Sequence, residues 1–416
     1  MRVGSPPRPA DTDKPTGWSE LEALREQALI EEARRRARAR RRGYALVVLL
    51  GLAVAVAIAG RPGGERPALL RSGGPGRVAF AGTASVNGRI AIADRSATLL
   101  TVFADGSGLQ ATVRCPLDVS GCRIVEPAWS PDGSELAFVR GNGGGPLTAE
   151  PPSLSLYLVD ASGGAEKLLA SCGTCGEQNG AHLSWSPDGS QIVFSRDRDR
   201  GDAYASTLWI ADTVSGALRQ LTDCPPGYCA DVQADWSPDG QLIAFRRITN
   251  HGEYLYSVRP DGSQLTDLGT PAAADPQWSP DGRRLAFDGI LGVYVSAADG
   301  SHSTLVAPGE DDGSGPGVPS WSPDGTKLAF FNTPSAPPRY GTEVWTINAD
   351  GTGKTRLAHA GCCVALWAAP IWSPDGKQIA FAANQAGGTF VVNSDGTGLH
   401  RVSSAAAITL TWQKAR

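Results

Sequence analysis

The sequence predicts an all-β fold, a seven-bladed β-propeller with six or eight blades as alternatives, preceded by an N-terminal helix and one transmembrane helix. Three observations carry this. The pentapeptide Trp-Ser-Pro-Asp-Gly occurs six times, beginning at Trp129, Trp185, Trp236, Trp278, Trp321 and Trp372. A Phe stands nine residues after each Trp, at Phe138, Phe194, Phe245, Phe287, Phe330 and Phe381. Successive copies start 56, 51, 42, 43 and 51 residues apart, a period at which one supersecondary unit recurs as a propeller blade or a solenoid coil.

The fixed Trp-to-Phe distance marks a tight hairpin. Pro presets φ at the first central turn position, Asp bonds back to the local backbone, and Gly takes the left-handed conformation. A third strand follows in each unit as a β-branched and aromatic run: residues 156–159, 208–211, 254–258, 293–296, 344–347 and 390–392. Several of these end in Asp-Gly turns and lead to a short fourth strand, such as residues 219–222 or 355–357. Four short antiparallel strands per unit describe a propeller blade better than a β-helix coil.

The pattern Trp-Ser-Pro-Asp-Gly-x-x-Ile/Leu-Ala-Phe, followed by an aromatic strand and Asp-Gly-Ser/Thr-Gly, resembles the WD-repeat-like propeller repeat of the TolB family over roughly residues 77–416. The resemblance implies a propeller. The repeat also occurs in propellers of prolyl oligopeptidase and dipeptidyl peptidase relatives, whose hydrolase domain would carry GxSxG. No GxSxG is present here. TolB's separate N-terminal α/β domain has no counterpart in the sequence, which argues against a place in the Tol-Pal system.

A degenerate first blade is expected, with residues 78–80 as its Phe strand, residues 85–88 as a worn turn, and residues 101–108 ending in Asp-Gly-Ser-Gly. The run Ile408 to Trp412 carries a seventh Trp strand and should complete that blade, fastening the ring. An eighth blade would need residues 78–83 as an inner strand of their own. Closure matters because an open stack leaves a bare sheet edge. The repeated Trp residues are then packing residues and the repeated Asp residues turn residues.

The N-terminal end divides into a cytoplasmic Arg-rich segment (1–43), a transmembrane signal-anchor helix (44–60) and a linker (61–76) ahead of the propeller (77–416). Residues 44–60 hold no charge, enough to span a bilayer with flanking residues snorkelling. Arg34, Arg35, Arg36, Arg38, Arg40, Arg41 and Arg42 precede them, so the positive-inside rule places the N-terminus in the cytoplasm and the propeller outside. A cleavable signal peptide, cut before Gly60, is the competing reading. Residues 19–42 read as a helix opened by a Ser19/Glu22 capping box. Residues 1–43 carry a net charge of +4 and the remainder −8, which disfavours nucleic acid as a partner of the propeller.

All eight cysteines fall between a fourth strand and the next Trp strand: Cys115 with Cys122, Cys172 with Cys175, Cys224 with Cys229, and Cys362 with Cys363. Even numbers and close pairing in an exported domain point to loop-stapling disulfides. Adjacent Cα atoms are only about 3.8 Å apart, so a Cys362–Cys363 bond would be strained. A zinc site from Cys172, Cys175, Cys224 and Cys229, with His182 near, is the alternative, but no metal ligand set and no cofactor is expected. The five histidines follow no metal-ligand spacing, and neither a P-loop nor a Rossmann glycine pattern occurs.

Chemistry is sought instead where copies differ. Three residues before each Trp stand Glu126, His182, Gln233, Asp275, Val318, Ala369 and Thr409. Four consecutive blades are polar there and the next two are not. Glu126, His182, Gln233 and Asp275, with Asp235 beside them, form the candidate binding arc at the channel mouth, suited to a cation or a partner's basic segment. The expected function is non-enzymatic: a membrane-tethered extracytoplasmic binding propeller engaging a protein, peptide or envelope glycan. A metal-dependent hydrolase or lactonase-like funnel enzyme is the alternative, and a transmembrane sensor the third.

Overall fold

The computed structural model describes residues 87–94, 96–116, 122–142, 153–173, 182–197, 205–224, 229–271, 273–309, 316–332, 343–359, 369–383, 388–405 and 407–414. The chain separates into Met1–Arg77 and Val78–Arg416, and every described residue belongs to the second part. The expected helix, the span at 44–60, residues 78–80 and Cys175, Cys362 and Cys363 lie outside the described residues. Among the described residues, no helix is long and apolar enough to cross a membrane.

The described elements are strands, which fall into units of four. The first unit holds β1 (Arg89–Asp94), β2 (Thr98–Phe103) and β3 (Gln110–Arg114), and the second β4 (Arg123–Trp129), β5 (Glu135–Asn142), β6 (Ser153–Asp160) and β7 (Lys167–Gly173). The third has β8 (Ser184–Trp185), β9 (Gln191–Asp197), β10 (Ala205–Asp212) and β11 (Leu218–Gln220), and the fourth β12 (Cys229–Trp236), β13 (Ile243–Thr249), β14 (Gly252–Val258) and β15 (Thr266–Pro271). The fifth comprises β16 (Ala274–Trp278), β17 (Arg284–Gly289), β18 (Gly292–Ala297) and β19 (Thr304–Pro308). The sixth comprises β20 (Pro316–Trp321), β21 (Lys327–Asn332), β22 (Glu343–Asn348) and β23 (Thr355–His359). The last has β24 (Ile371–Trp372), β25 (Gln378–Ala383), β26 (Gly388–Asn393) and β27 (His400–Ser403), and β28 (Ala407–Trp412) ends the chain.

Every unit is an antiparallel meander, and β28 pairs with β1 to give the first unit its missing inner strand in the order β28-β1-β2-β3. The expected fastening by the C-terminal Trp strand is thus observed. A short parallel pairing of β10 with β12 joins the third and fourth units into one eight-stranded sheet. The inner strands β28, β4, β8, β12, β16, β20 and β24 touch in that order, and β24 touches β28 again. The described strands therefore close on themselves.

The core lies between units rather than within them. Trp185, Ile192 and Phe194 of the third unit pack against Val139, Leu154 and Leu156 of the second. Trp372 and Phe381 meet Phe331 and Val344 in the same way, and Trp412 with Ile90 meets Ala380 and Val391 across the seam. Each Trp is nearly buried, and its apolar area contributes about 2–3 kcal/mol. The indole also ties the ring polar-wise: Nε1 of Trp185, Trp278, Trp321 and Trp372 donates to the carbonyls of Ala128, Asp235, Gln277 and Ser320, each on the neighbouring unit's inner strand.

In the Ser-Pro-Asp-Gly turns, the Ser hydroxyl donates to the Asp carboxylate (2.5–2.7 Å) and accepts the backbone N–H that opens the second strand. The Ser hydroxyl holds the carboxyls of Asp188, Asp239, Asp281 and Asp324 below their usual range. The Gly of each turn has φ between 67° and 74°, and in five turns it sits against the neighbouring unit's Pro. Any side chain there would be strained.

The first unit corrects one expectation. Its second strand is β1, which follows the left-handed Gly88, so β1 and not residues 78–80 takes the Phe-strand position. It sets Ile92 opposite Leu100, where the other units set Phe opposite Tyr, Trp or Phe.

Candidate functional site

The residues three before each Trp occupy a backbone feature that the sequence did not reveal. Glu126, His182, Gln233, Asp275 and Val318 all have positive φ, between 28° and 56°. In β4, β12, β16 and β20 the register with the next strand shifts at this point, which is a β-bulge. A bulge leaves one residue unpaired and re-aims its side chain. The inner strands thus give these side chains one shared backbone setting.

The consequence is contact between units that are not neighbours. His182 on the third unit lies 3.8 Å (Nε2 to Oδ1) from Asp275 on the fifth. Between them Gln233 donates through Nε2 to Asp275 Oδ1 at 2.6 Å and accepts the Asp275 backbone N–H at 3.2 Å. Arg246 Nη1 also donates to Gln233 Oε1 (3.3 Å), and Arg246 Nη2 pairs with Glu253 at 2.7 Å. Arg246 Nε has no partner.

Glu126 completes the group from the second unit, its backbone N–H bonded to Thr409 Oγ1 of β28. Burial pushes its carboxyl well above the usual carboxylate range; His182 opposes this shift and Asp275 adds to it. Those two influences show that Glu126, His182 and Asp275 share one environment. Four of the five candidate residues therefore converge.

Asp235 is placed differently. Its Oδ2 accepts the Trp278 backbone N–H (2.8 Å) and its Oδ1 the Ser184 hydroxyl (3.3 Å), while Ser184 Oγ accepts the Trp236 N–H (3.0 Å). It braces the third, fourth and fifth units together. Burial raises its carboxyl to about 6, opposed by the Trp278 and Ser184 hydrogen bonds.

Arg246 was missed in the sequence. The signal was available: it directly follows the β13 Phe, where the other units carry Val139, Ser195, Asp288, Phe331 or Ala382. Glu253, its partner on the next strand, had no signal of its own.

Two expected disulfides are formed, Cys115–Cys122 and Cys224–Cys229. The second excludes the four-thiolate zinc arrangement, because two of its ligands are consumed by the S–S bond. Among the described residues, the trio of possible ligand atoms within 4.8 Å is Cys224, Cys229 and Asp231. Asp231 itself is fully buried in a paired geometry with Arg247 Nε and Nη2, at 2.6 and 2.7 Å.

With this geometry in view, comparison with known proteins gives the family. The TolB beta propeller domain family matches residues 103–367, and the chain belongs to it. The uncharacterized peptidase YuxL of Bacillus subtilis (strain 168) is 30% identical over 132 residues, which are 32% of this chain and 18% of that protein. The chain thus aligns with less than a fifth of that relative's length. An oligogalacturonate lyase from Vibrio parahaemolyticus is similar in structure with a TM-score of 0.53 and 12% identity, over 76% of this chain and 86% of that one. TolB from Acinetobacter baumannii gives a TM-score of 0.48 at 19% identity, over 79% and 67% of the two chains. At these identities the structural likeness concerns the propeller fold.

Proposed function

We propose that this member of the TolB beta propeller domain family is a seven-bladed, non-enzymatic binding propeller, tethered outside the cytoplasm by the span at 44–60. Its partner is a protein, peptide or envelope glycan, and the arc of Glu126, His182, Gln233 and Asp275 is the contact. One observation carries the reading. The bulge recurs at Val318 with the same left-handed backbone, so the ring does not need polar side chains there, yet four consecutive units supply them. Polar groups brought into a ring interior cost desolvation, and a ligand that pairs with them recovers that cost.

The test is capture from intact envelopes by the full-length protein, wild type against Gln233→Leu and Asp275→Asn. The reading expects a retained component that both substitutions release. Identical capture by all three proteins would sink it.

A funnel enzyme is the second reading, favoured by one specific observation: the raised Glu126 carboxyl lies near His182, as a poised proton donor would. A melting temperature raised by manganese or calcium in the wild type but not in Glu126→Gln would transfer the argument to this reading.

A further inference from the structure

Resting on the binding reading above, we propose that the occupant of the arc carries a guanidinium or ammonium group, so that the ring interior receives a basic side chain of a peptide. The arc offers carboxyl acceptors from two units, Glu126 on the second and Asp275 on the fifth. Among the described residues, no side-chain hydrogen bond holds the Glu126 carboxyl. Asp275 receives the Gln233 amide on Oδ1 alone. Gln233 Nε2 is committed to Asp275, and the two Nη atoms of Arg246 to Gln233 and Glu253, which leaves the Glu126 carboxyl and Asp275 Oδ2 as the acceptors for an occupant. An occupant that brings N–H groups and positive charge pairs with these acceptors.

A compact metal ion fits this layout poorly. Carboxylate ligands of calcium lie about 2.3–2.6 Å from the ion, which draws them together. Glu126, His182 and Asp275 do not place three ligand atoms within 4.8 Å of one another, and Gln233 holds one Asp275 oxygen away. A guanidinium spreads five donors over a plane, and an ammonium sits on a flexible stem. Either can reach acceptors that one ion cannot.

The sixth and last units fit the stem. Val318 repeats the bulge with an aliphatic side chain, and Ala369 follows at the equivalent position in the last unit. Arg and Lys side chains lay their methylenes on apolar surface while the charged head seeks polar partners. Val318 and Ala369 supply the aliphatic surface, and Glu126 and Asp275 the acidic partners, that such a side chain divides between.

The experiment is isothermal titration of the full-length protein in detergent with the peptide Gly-Gly-Arg-Gly-Gly and with its citrulline counterpart, which keeps shape and loses charge. Saturable binding of the arginine peptide is expected, weakened roughly tenfold or more for citrulline and likewise in Glu126→Gln, as for a lost charge-assisted hydrogen bond. Glu126→Asp should retain part of the affinity. Equal binding of both peptides, an unaffected Glu126→Gln, or no arginine binding by protein of unchanged melting temperature overturns the proposal, as does saturation by manganese chloride alone. If envelope capture still depends on Gln233 and Asp275 while the arginine peptide fails, only this inference falls.

Discussion

Five inner strands of the ring carry one left-handed backbone position and fill it with opposite chemistry. On the second to fifth units the bulge carries Glu126, His182, Gln233 and Asp275, whose side chains are linked by hydrogen bonds and charge. On the sixth it carries Val318 at φ 52°, and the last unit has Ala369 at the same sequence position. A β-branched residue with positive φ is an outlier that survives only when its surroundings dictate the conformation. The bulge is therefore imposed by the packing of inner strands, and the polarity of the second to fifth units is a separate property. Architecture and site can be disentangled by substitution.

The largest effect is expected at the seam, where the first and last units are joined by the C-terminal strand. Trp412 is buried against the last unit and donates to the Asn87 carbonyl, while Gln413 bonds to Arg89 on β1 and to the Gly133 carbonyl of the second unit. Trp412→Ala should cost about 3–5 kcal/mol, read as a lower urea midpoint. A loss below about 1 kcal/mol would mean that the ring holds together without the seam.

Next comes a pH effect confined to the polar units. Asp235 has its carboxyl raised to about 6 by burial, whereas an unfolded Asp titrates near 3.9. The folded state thus binds the proton more tightly. Its contribution is fully present below about pH 4 and is lost as pH rises through about 6, by at most about 3 kcal/mol. Asp235→Asn should remove this dependence, making the variant more stable than wild type at pH 8 and comparable at pH 4. Parallel stability curves across that range would show that the carboxylate is no burden to the ring.

The smallest effect tests the apolar bulge. Val318→Gly should gain about 1 kcal/mol by relieving the left-handed strain, seen as a modest rise in melting temperature. Gln233→Gly, with the same relief, should show no gain because the Asp275 and Arg246 bonds are lost with it. Equal gains at both positions would deny the polar units their network.

Legibility in the sequence followed the range of the interactions. The Trp-to-Phe hairpins, the third strands and the Asp turns were readable because each depends on residues within about ten positions. The closing role of Trp412 was readable from a Trp strand without its own turn. The second strand of the first unit was misplaced at residues 78–80 because β1 lacks the Phe that marks the others. The polar arc was found by comparing equivalent positions, but its left-handed backbone was invisible: nothing in the letters Glu, His, Gln, Asp and Val shares a preference for positive φ.

By itself the sequence determined the repeated hairpin, the spacing of its strands and which residues vary from copy to copy, since these follow from turn chemistry and side-chain alternation. Only the tertiary structure decided that Asp235 braces three units and that Arg246 joins the arc. Those outcomes depend on distances between strands of different units, set by the closure of the ring, and no local propensity encodes a distance across it.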